Sequence, residues 1–384
     1  MSAQRTVIVS GIWPPDVGGP ASHGPSVGRF LSARGVPVSA VVSADDPTGF
    51  GFPLTVLRRD RPVWDRIPRG LGGVLRGVRQ ADVVYATGIY HRVALAAALT
   101  RTPLAVKLVN DPAYERSRTR GWFDGTLEAF QEAQHGPQIR ALQRLRDAAL
   151  SRAAVIVVPS EYLARIARTW DLPADCITVV PNPADLPQPS ADRETLRARL
   201  GLHRTTAVFV GRLVEQKDLP TLIASLDRVP DLDVVLVGDG PEEDDLRGRI
   251  AAAGLEGRVR LEPSADRQGV ADWFSAADLS VLPSQWENFP HGAVESLSVG
   301  TPVVACAVGG VPEILRSAEY GTLVPPRDPA AFGEALRAIT ADSQRLPGMR
   351  EAAAAAGRAY LPDVVLGQTA AAIDRAAKSR PSRS

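Results

Sequence analysis

Short apolar runs alternate with longer amphipathic segments along the whole chain, which is the pattern of parallel α/β domains. Each run has the length of a buried strand and is bounded by glycine, proline or polar residues. In the first half the predicted strands are 6–10, 37–43, 54–57, 83–87, 104–109, 154–159 and 177–180. In the second half they are 207–210, 234–237, 259–262, 278–283, 303–306 and 321–324.

Helical periodicity fills most of the intervals between these strands. The predicted helices are 21–34, 141–152, 160–170, a segment starting near His291, 330–339, 351–360 and 364–377. Residues 116–123 are basic and are predicted to form a mobile loop. The proline-rich stretch 181–189 is the best candidate for a linker, so we predict domains at 1–182 and 183–361.

A proline- and glycine-rich loop over residues 11–19 follows the first strand and precedes the first helix. Strand, glycine loop and helix in this order open doubly wound nucleotide-binding domains. Gly18 and Gly19 would let the backbone approach a ligand at the helix start. The alternative is a flexible turn with no ligand.

Two cations, Arg212 and Lys217, lie just past the strand 207–210 and before a leucine-rich helix. Fixed cations at a strand end can hold a diphosphate and stabilise its charge as it leaves. The alternative is a pair of solvated surface charges. Lys217 is one of only three lysines among 44 basic residues, which favours a specific role.

The stretch 284–295 combines two carboxylates with a helix start. Glu287 lies in a loop, and Glu295 lies on the helix that begins near His291. Free N–H groups at a helix start favour an anionic ligand, whereas carboxylates favour the hydroxyls of a sugar or ribose. Because Pro290 has no N–H, the backbone donors would be those of His291, Gly292 and Ala293. A sugar nucleotide carries both chemical groups; two solvated glutamates are the alternative.

Composition limits the class of protein. At 384 residues the chain exceeds one ordinary core, and a net charge of +1 argues against general nucleic-acid binding. Cys176 and Cys306 form no Cys-x-x-Cys pattern, which indicates reduced thiols and a cytoplasmic protein. The sequence predicts no signal peptide and no apolar run that could span a membrane.

The basic segment from Arg58 to Arg79 is partly amphipathic and has two interpretations. It could rest on an anionic membrane surface, at the inner membrane of the cell. It could instead be a helix that packs its apolar residues on the sheet and exposes its arginines. Prolines and glycines interrupt a membrane-lying helix, so we favour the second interpretation. The apolar residues concerned are Leu71, Val74, Leu75 and Val78.

The two glutamates eight positions apart are followed by Gly-Thr-Pro-Val-Val at 300–304 and Gly-Gly-Val-Pro-Glu at 309–313. These motifs in this order resemble family 4 of the retaining glycosyltransferases, over residues 6–377 and most densely over 207–326. The resemblance implies the GT-B fold, an α/β architecture of two doubly wound Rossmann-like domains facing across a cleft. It also implies that the last helix, about 362–384, packs back on the first domain.

The resemblance assigns roles to residues at matching positions. Donor-binding candidates are Gly18, Gly19, Arg212, Lys217, Glu287, Phe289, His291, Gly292, Ala293 and Glu295. Among these, Arg212 and Lys217 would hold the diphosphate, Glu295 the ribose and Glu287 the transferred sugar. The backbone of the loop 263–265 would contact the nucleobase.

Acceptor-side candidates in the first domain are Ser22, His91, Asn110 and Asp111. Many family members have a histidine where this chain has Asn110. Asp111 is the nearest ionisable replacement and a candidate catalytic residue, and His91 is a second candidate. No metal is expected, because the two cations can supply the positive charge and no Asp-x-Asp pairs with them, and no cofactor is expected either.

The predicted reaction transfers a sugar from a nucleoside diphosphate sugar to an acceptor hydroxyl with retention of the anomeric configuration. The departing phosphate would help to deprotonate the acceptor. One alternative is a sugar-nucleotide epimerase of the same fold, with His91, His291 and Asp111 as acid–base candidates. Another alternative is a catalytically idle subunit that binds a sugar nucleotide for a partner enzyme.

Overall fold

The computed structural model describes residues 4–16, 19–60, 63–173, 175–342 and 344–379. The chain divides into two compact units. The first unit contains the chain up to Pro181 together with the segment from Asp363 onward, and the second unit is Asn182–Pro362. The predicted fold class, α/β with two Rossmann-like units, is confirmed.

The first unit is built on a parallel sheet in the order β3-β2-β1-β4-β5-β6-β7. The central strand β1 pairs on both sides, with Thr6 opposite Val38 and Val83. Continuous apolar strands are expected here because both faces of a parallel sheet are covered. The strands are β1 (Thr6–Ser10), β2 (Val38–Ser43), β3 (Leu54–Leu57), β4 (Val83–Ala86), β5 (Leu104–Lys107), β6 (Val155–Val158) and β7 (Ile177–Val179).

The helices of this unit connect successive strands. They are α1 (Gly19–Ala33), α2 (Val63–Arg79), α3 (Tyr90–Thr100), α4 (Pro112–Thr119), α5 (Leu127–Glu132), α6 (Pro137–Leu150) and α7 (Glu161–Ala167). The predicted mobile loop at 116–123 is wrong for its first half, which belongs to α4. Asp111 caps this helix by accepting hydrogen bonds from the N–H groups of Ala113 and Tyr114, and Pro112 stands at its first position. Capping of this kind stabilises α4, a short and mostly polar helix that has no clear apolar periodicity.

Helix α2 packs on the sheet through two valines and a glycine. Val74 and Val78 are fully buried, and a Cβ on Gly77 would come within 2.7 Å of Val41. For residues 69–79 the structure therefore supports the packed interpretation of this basic segment, with Arg69, Arg76 and Arg79 exposed. Arg61 and Pro62 lie outside the described residues, and the side chains of 63–68 are not described.

The second unit is built on a parallel sheet in the order β10-β9-β8-β11-β12-β13. Its strands are β8 (Thr206–Val210), β9 (Asp233–Val237), β10 (Val259–Glu262), β11 (Leu279–Leu282), β12 (Val303–Cys306) and β13 (Gly321–Val324). Its helices are α8 (Arg193–Leu200), α9 (Leu219–Ser225), α10 (Glu243–Ala252), α11 (Arg267–Ala276), α12 (His291–Ser298), α13 (Val311–Ile314), α14 (Pro329–Thr340) and α15 (Arg345–Gly357). Single 3-10 turns occur at Glu215–Lys217, Leu226–Arg228 and Arg358–Tyr360.

The last helix, α16 (Pro362–Lys378), returns to the first unit. Val365 and Ile373 are buried in the same apolar cluster as Ile8 and Tyr85. A segment distant in sequence thus completes the core of the first unit, because the apolar face of α16 is buried against the sheet of that unit. Among the described residues, no helix combines the length and the apolar character needed to cross a bilayer.

Candidate functional site

Two glycine turns at the carboxyl ends of β8 and β9 hold the loops of the second unit together. The Gly211 N–H donates to the Val237 carbonyl at 3.0 Å, and the Leu213 N–H donates to the Asp239 carbonyl at 2.9 Å. A Cβ on Gly238, whose φ is +152°, would lie 1.8 Å from the Gly211 carbonyl oxygen. Only glycine permits this approach, which places the loop after β8 at the sheet edge where ligands of α/β folds bind.

The loop after β8 carries both predicted cations. Arg212 is exposed and forms no ion pair with the described residues. Leu213 is fully buried and anchors the loop, and Lys217 ends the following 3-10 turn. The Lys217 Nζ donates to Oε1 of Glu287, with side-chain exposures of 19% and 8%. The structure thus brings together two residues that lie 70 positions apart and that the sequence placed in one site.

Glu287 is buried, and further contacts fix the loop that carries it. The Ser284 hydroxyl donates to the same carboxylate oxygen, Oε1, at 2.8 Å. The Gly310 N–H donates to the Glu287 backbone carbonyl at 3.1 Å. The side-chain amide of Gln216 donates to the Trp286 carbonyl at 2.7 Å. These contacts join the segments 212–217, 284–290 and 309–313, so the separate sequence motifs form one structural unit.

Helix α12 begins at His291, as predicted, with Pro290 at its N-cap. His291 and Gly292 are partly exposed, whereas Ala293 is buried. Phe289 is only 7% exposed and packs against Tyr360, with ring centroids 6.0 Å apart. Phe289 therefore anchors the helix start in the core, a structural role, and the exposed part of the helix start lies at the two residues that follow Pro290.

Glu295 lies about one helical turn beyond His291 on α12 and is buried. Arg267, the first residue of α11, donates to its Oε1 at 2.8 Å. The loop before α11 is held by the Ser264 N–H, which donates to Oδ1 of Asp239 at 3.2 Å. The predicted ribose carboxylate and the predicted nucleobase loop are therefore linked to the glycine turn after β9.

The site residues predicted in the first unit are spread over several elements. Gly18 lies outside the described residues, Gly19 begins α1, and Ser22 is an exposed residue of that helix. The Asn110 amide donates to Oε1 of Glu115 at 3.0 Å, so it helps to hold the start of α4.

Asp111 is completely buried, and its carboxylate is committed to packing. Besides capping α4, it pairs with Arg146 of α6 at 2.6 Å and accepts from the amide of Gln131 at 3.1 Å. The Arg146 guanidinium in turn stacks 3.9 Å from the Trp170 ring centroid. A carboxylate with these partners is a structural group joining helices, so the catalytic role predicted for Asp111 is not part of the function proposed below.

His91 stands on α3, where the sequence predicted a loop after the preceding strand. Its ring is at the helix surface, and its pKa is lowered mainly by desolvation and secondarily by the positive charge of Arg116. A neutral imidazole is therefore favoured near neutral pH. Sequence reasoning missed the buried hydrogen bond between His23 and Tyr85, 2.7 Å long, which joins α1 to β4.

Sequence reasoning also missed Ser284 and Arg267, the residues that contact the two glutamates. Ser284 stands three positions before Glu287, a spacing that a loop can close, but serine is common in loops. The sequence did not indicate Arg267 as a site residue, because α11 was not predicted and its partner Glu295 is 28 positions away.

Two family models match consecutive parts of the chain. The model described as glycosyl transferases group 1 matches residues 192–359, and the glycosyl transferase 4-like domain matches residues 18–183. Each match lies within one of the two compact units, apart from two residues of the second model.

Several curated relatives are named D-inositol 3-phosphate glycosyltransferase. The protein from Catenulispora acidiphila is 33% identical over 309 residues, covering 75% of this chain and 71% of that relative. The protein from Xylanimonas cellulosilytica is 33% identical over 244 residues, covering 60% of this chain and 58% of that relative. For other relatives, such as that from Streptomyces scabiei, the match spans about half of their length, 49%.

Solved structures share the fold at lower sequence identity. HepE of Anabaena in complex with UDP has a TM-score of 0.78 and 20% identity, covering 96% of this chain and 99% of that chain. A sucrose-phosphate synthase from Thermosynechococcus elongatus has a TM-score of 0.74 and 20% identity, covering 96% of this chain and 98% of that chain. The same Anabaena protein has also been solved with UDP-glucose.

Proposed function

The chain belongs to family 4 of the glycosyltransferases, and on that premise we propose that it transfers a sugar from a nucleoside diphosphate sugar to an acceptor hydroxyl with retention of configuration. The observation that carries the proposal is the cluster of Lys217, Glu287 and Ser284 at the carboxyl edge of the second sheet. A cation and a carboxylate in contact suit a ligand that presents a phosphate beside sugar hydroxyls. Relatives named glycosyltransferases and neighbours solved with UDP support this donor class.

In the proposed complex, one carboxylate oxygen of each glutamate binds the nucleoside diphosphate sugar. Lys217 and Ser284 both bind Oε1 of Glu287, and Arg267 binds Oε1 of Glu295. Within the described ranges, neither Oε2 has a hydrogen-bond partner. In the proposed complex, Oε2 of Glu287 accepts from a hydroxyl of the sugar, and Oε2 of Glu295 accepts from the ribose.

Lys217 and Arg212 would stabilise the diphosphate while the bond between its oxygen and the anomeric carbon breaks. The acceptor oxygen forms the new bond to that carbon on the same face, and the acceptor proton moves to the departing phosphate oxygen. Positive groups held at the leaving group act more strongly in the transition state than in the ground state, because negative charge grows there. The backbone N–H at the start of α12, where Gly292 is partly exposed, would add a donor for the same phosphates.

No metal and no cofactor are part of the proposal, because the two cations supply the positive charge that a divalent ion would bring. Enzyme treated with EDTA is therefore expected to keep its activity. Loss of activity with EDTA and its recovery with magnesium would contradict this part of the proposal.

Membrane contact through residues 58–79 stays a prediction, as does a cytoplasmic location. The exposed arginines of α2 would meet anionic lipid headgroups, each contributing about 1 kcal/mol. Flotation with vesicles of anionic and of zwitterionic lipid tests this, with equal recovery from both vesicle types counting against it.

The reaction is tested by incubating the protein with UDP-, ADP- and GDP-sugars and with hydroxylated acceptors, including D-inositol 3-phosphate. The expected products are a glycosylated acceptor, with the donor's anomeric configuration, and the nucleoside diphosphate. Donor turnover without a second protein excludes an idle subunit. Formation of an epimeric sugar nucleotide in the absence of any acceptor would instead favour the epimerase.

A further inference from the structure

Arg267 joins the nucleotide side of the site to the segment that opens the second unit. One guanidinium nitrogen donates to Oε1 of Glu295 at 2.8 Å, and the other donates to the Asp185 carbonyl. The Asp266 carboxylate caps α11 by accepting from the Gly269 N–H at 2.8 Å, which fixes the position from which Arg267 extends. The Arg267 side chain is 54% exposed, whereas the Glu295 side chain is 7% exposed.

This arrangement parallels the one at Glu287. Each glutamate of the pair is buried, and Oε1 of each accepts from a cation on another segment of the chain. A buried carboxylate is costly unless a charged partner compensates it, and a fork-shaped guanidinium also fixes its orientation. Lys217 performs this role for Glu287, and Arg267 performs it for Glu295.

We propose that Arg267 is a positioning residue for the nucleoside half of the donor. It holds the Glu295 carboxylate in one rotamer through the hydrogen bond to Oε1, so that Oε2 can accept from the hydroxyls of the ribose. This inference rests on the proposed function, because it assigns a ribose to Glu295. It adds a residue that no sequence motif of the chain indicated.

A purely structural role for Arg267 would have a different signature. Its hydrogen bond to the Asp185 carbonyl could serve only to fix the start of the second unit, in which case its loss would weaken all ligands alike. A role through Glu295 concerns the ribose hydroxyls alone. The two roles are therefore separated by a ligand that lacks one of these hydroxyls.

The experiment is a cycle of one protein change and one ligand change. UDP, ADP and GDP are titrated calorimetrically into the parent protein, and the tightest binder is then compared with its 2′-deoxy counterpart. Arg267→Ala and Arg267→Lys are titrated with the same two ligands. Arg247→Ala is the matched control, because Arg247 forms an exposed ion pair with Glu243 on α10 of the same unit.

The parent and Arg247→Ala are expected to bind the ribonucleotide about tenfold more tightly than the deoxynucleotide, the effect of one good hydrogen bond to a charged group. Arg267→Ala should bind the ribonucleotide about tenfold more weakly than the parent and discriminate between the two ligands less than about threefold. Arg267→Lys should recover part of the discrimination, because it restores the charge without the fork.

Two results would overturn the inference in distinguishable ways. If Arg267→Ala weakens both ligands equally and keeps the parental discrimination, Arg267 serves the fold and only this inference fails. If the parent binds none of the nucleoside diphosphates, the proposed function fails, and this inference fails with it. Thermal unfolding of each variant shows whether reduced binding comes from a folded protein.

Discussion

Replacing Lys217 by alanine perturbs the cluster at its centre, because it removes the cation from a buried carboxylate. Exposed ion pairs contribute about 0–1 kcal/mol, whereas breaking a buried pair costs about 3–5 kcal/mol. With exposures of 19% and 8%, the Lys217–Glu287 pair lies nearer the buried case. Ser284 continues to donate to Oε1, so we expect a loss of about 2–3 kcal/mol in the free energy of unfolding.

The activation free energy should rise by about as much as the stability falls. Removing one electrostatic contact to a leaving group costs about a hundredfold in turnover. Because Lys217 would contact the diphosphate itself, the variant should lose affinity for the nucleoside diphosphate. Because Lys217 also holds Glu287, which is assigned to the sugar, affinity for the nucleoside diphosphate sugar should fall as well. The free nucleoside should bind almost unchanged. Lys217→Arg should recover only part of the loss, since a planar fork cannot replace a compact ammonium at a fixed distance.

Urea unfolding and steady-state kinetics of Lys217→Ala, Glu287→Gln and the double variant test this reasoning. Glutamine removes the buried charge, so the double variant should be more stable than Lys217→Ala by about 1–2 kcal/mol. Lys378→Ala on α16 is the matched control, because this lysine is exposed. Strictly additive losses in the double variant would show that the ion pair is not the source of the effect and would refute the argument.

Three further outcomes are expected. Glu287→Ala should lower turnover about a hundredfold while the affinity for nucleoside diphosphate changes little. Calorimetry and kinetics on one preparation check this, and activity within a few-fold of the parent would contradict the assignment of Glu287 to the transferred sugar. Gly238→Ala should destabilise the protein by about 3 kcal/mol or more in urea unfolding, because its Cβ would lie 1.8 Å from the Gly211 carbonyl oxygen. Gly248→Ala on α10 is the control: a Cβ there has nothing within 4 Å, so the change should be neutral or stabilising by about 0.5–1 kcal/mol. Lys107 is buried, and desolvation lowers its pKa to about 7 from an unfolded value near 10.5. Between these two pH values the unfolded chain binds a proton at Lys107 that the folded chain has released. The free energy of unfolding therefore rises with pH over this range. Lys107→Met should therefore be more stable than the parent at pH 7, and the difference should shrink by about 2 kcal/mol at pH 9; an unchanged difference would contradict the pKa.

The local properties of the chain could be predicted because they depend on neighbouring residues. Every predicted strand is present with ends shifted by at most two residues, since a run of apolar β-branched residues has few alternatives between two amphipathic segments. Helix α12 starts at His291 because Pro290 fits the N-cap and the residues that follow have helical periodicity. Helices α3 and α8 were among those missed, because α3 is rich in alanine and α8 is rich in charged residues, so neither has a strong apolar periodicity.

The partners of the site residues were decided only by the tertiary structure. Lys217 meets Glu287 across 70 positions, and Arg146 meets Asp111 across 35. The sequence offered both acids as candidates for chemistry, and it held nothing to tell them apart. Burial and partners separate them: Asp111 is enclosed by a guanidinium, an amide and a helix start, whereas Glu287 keeps one oxygen unbonded among the described residues. Local pattern determines which elements form, but the surroundings of a charge come from packing of segments distant in sequence, because burial and long-range pairing have no local signature.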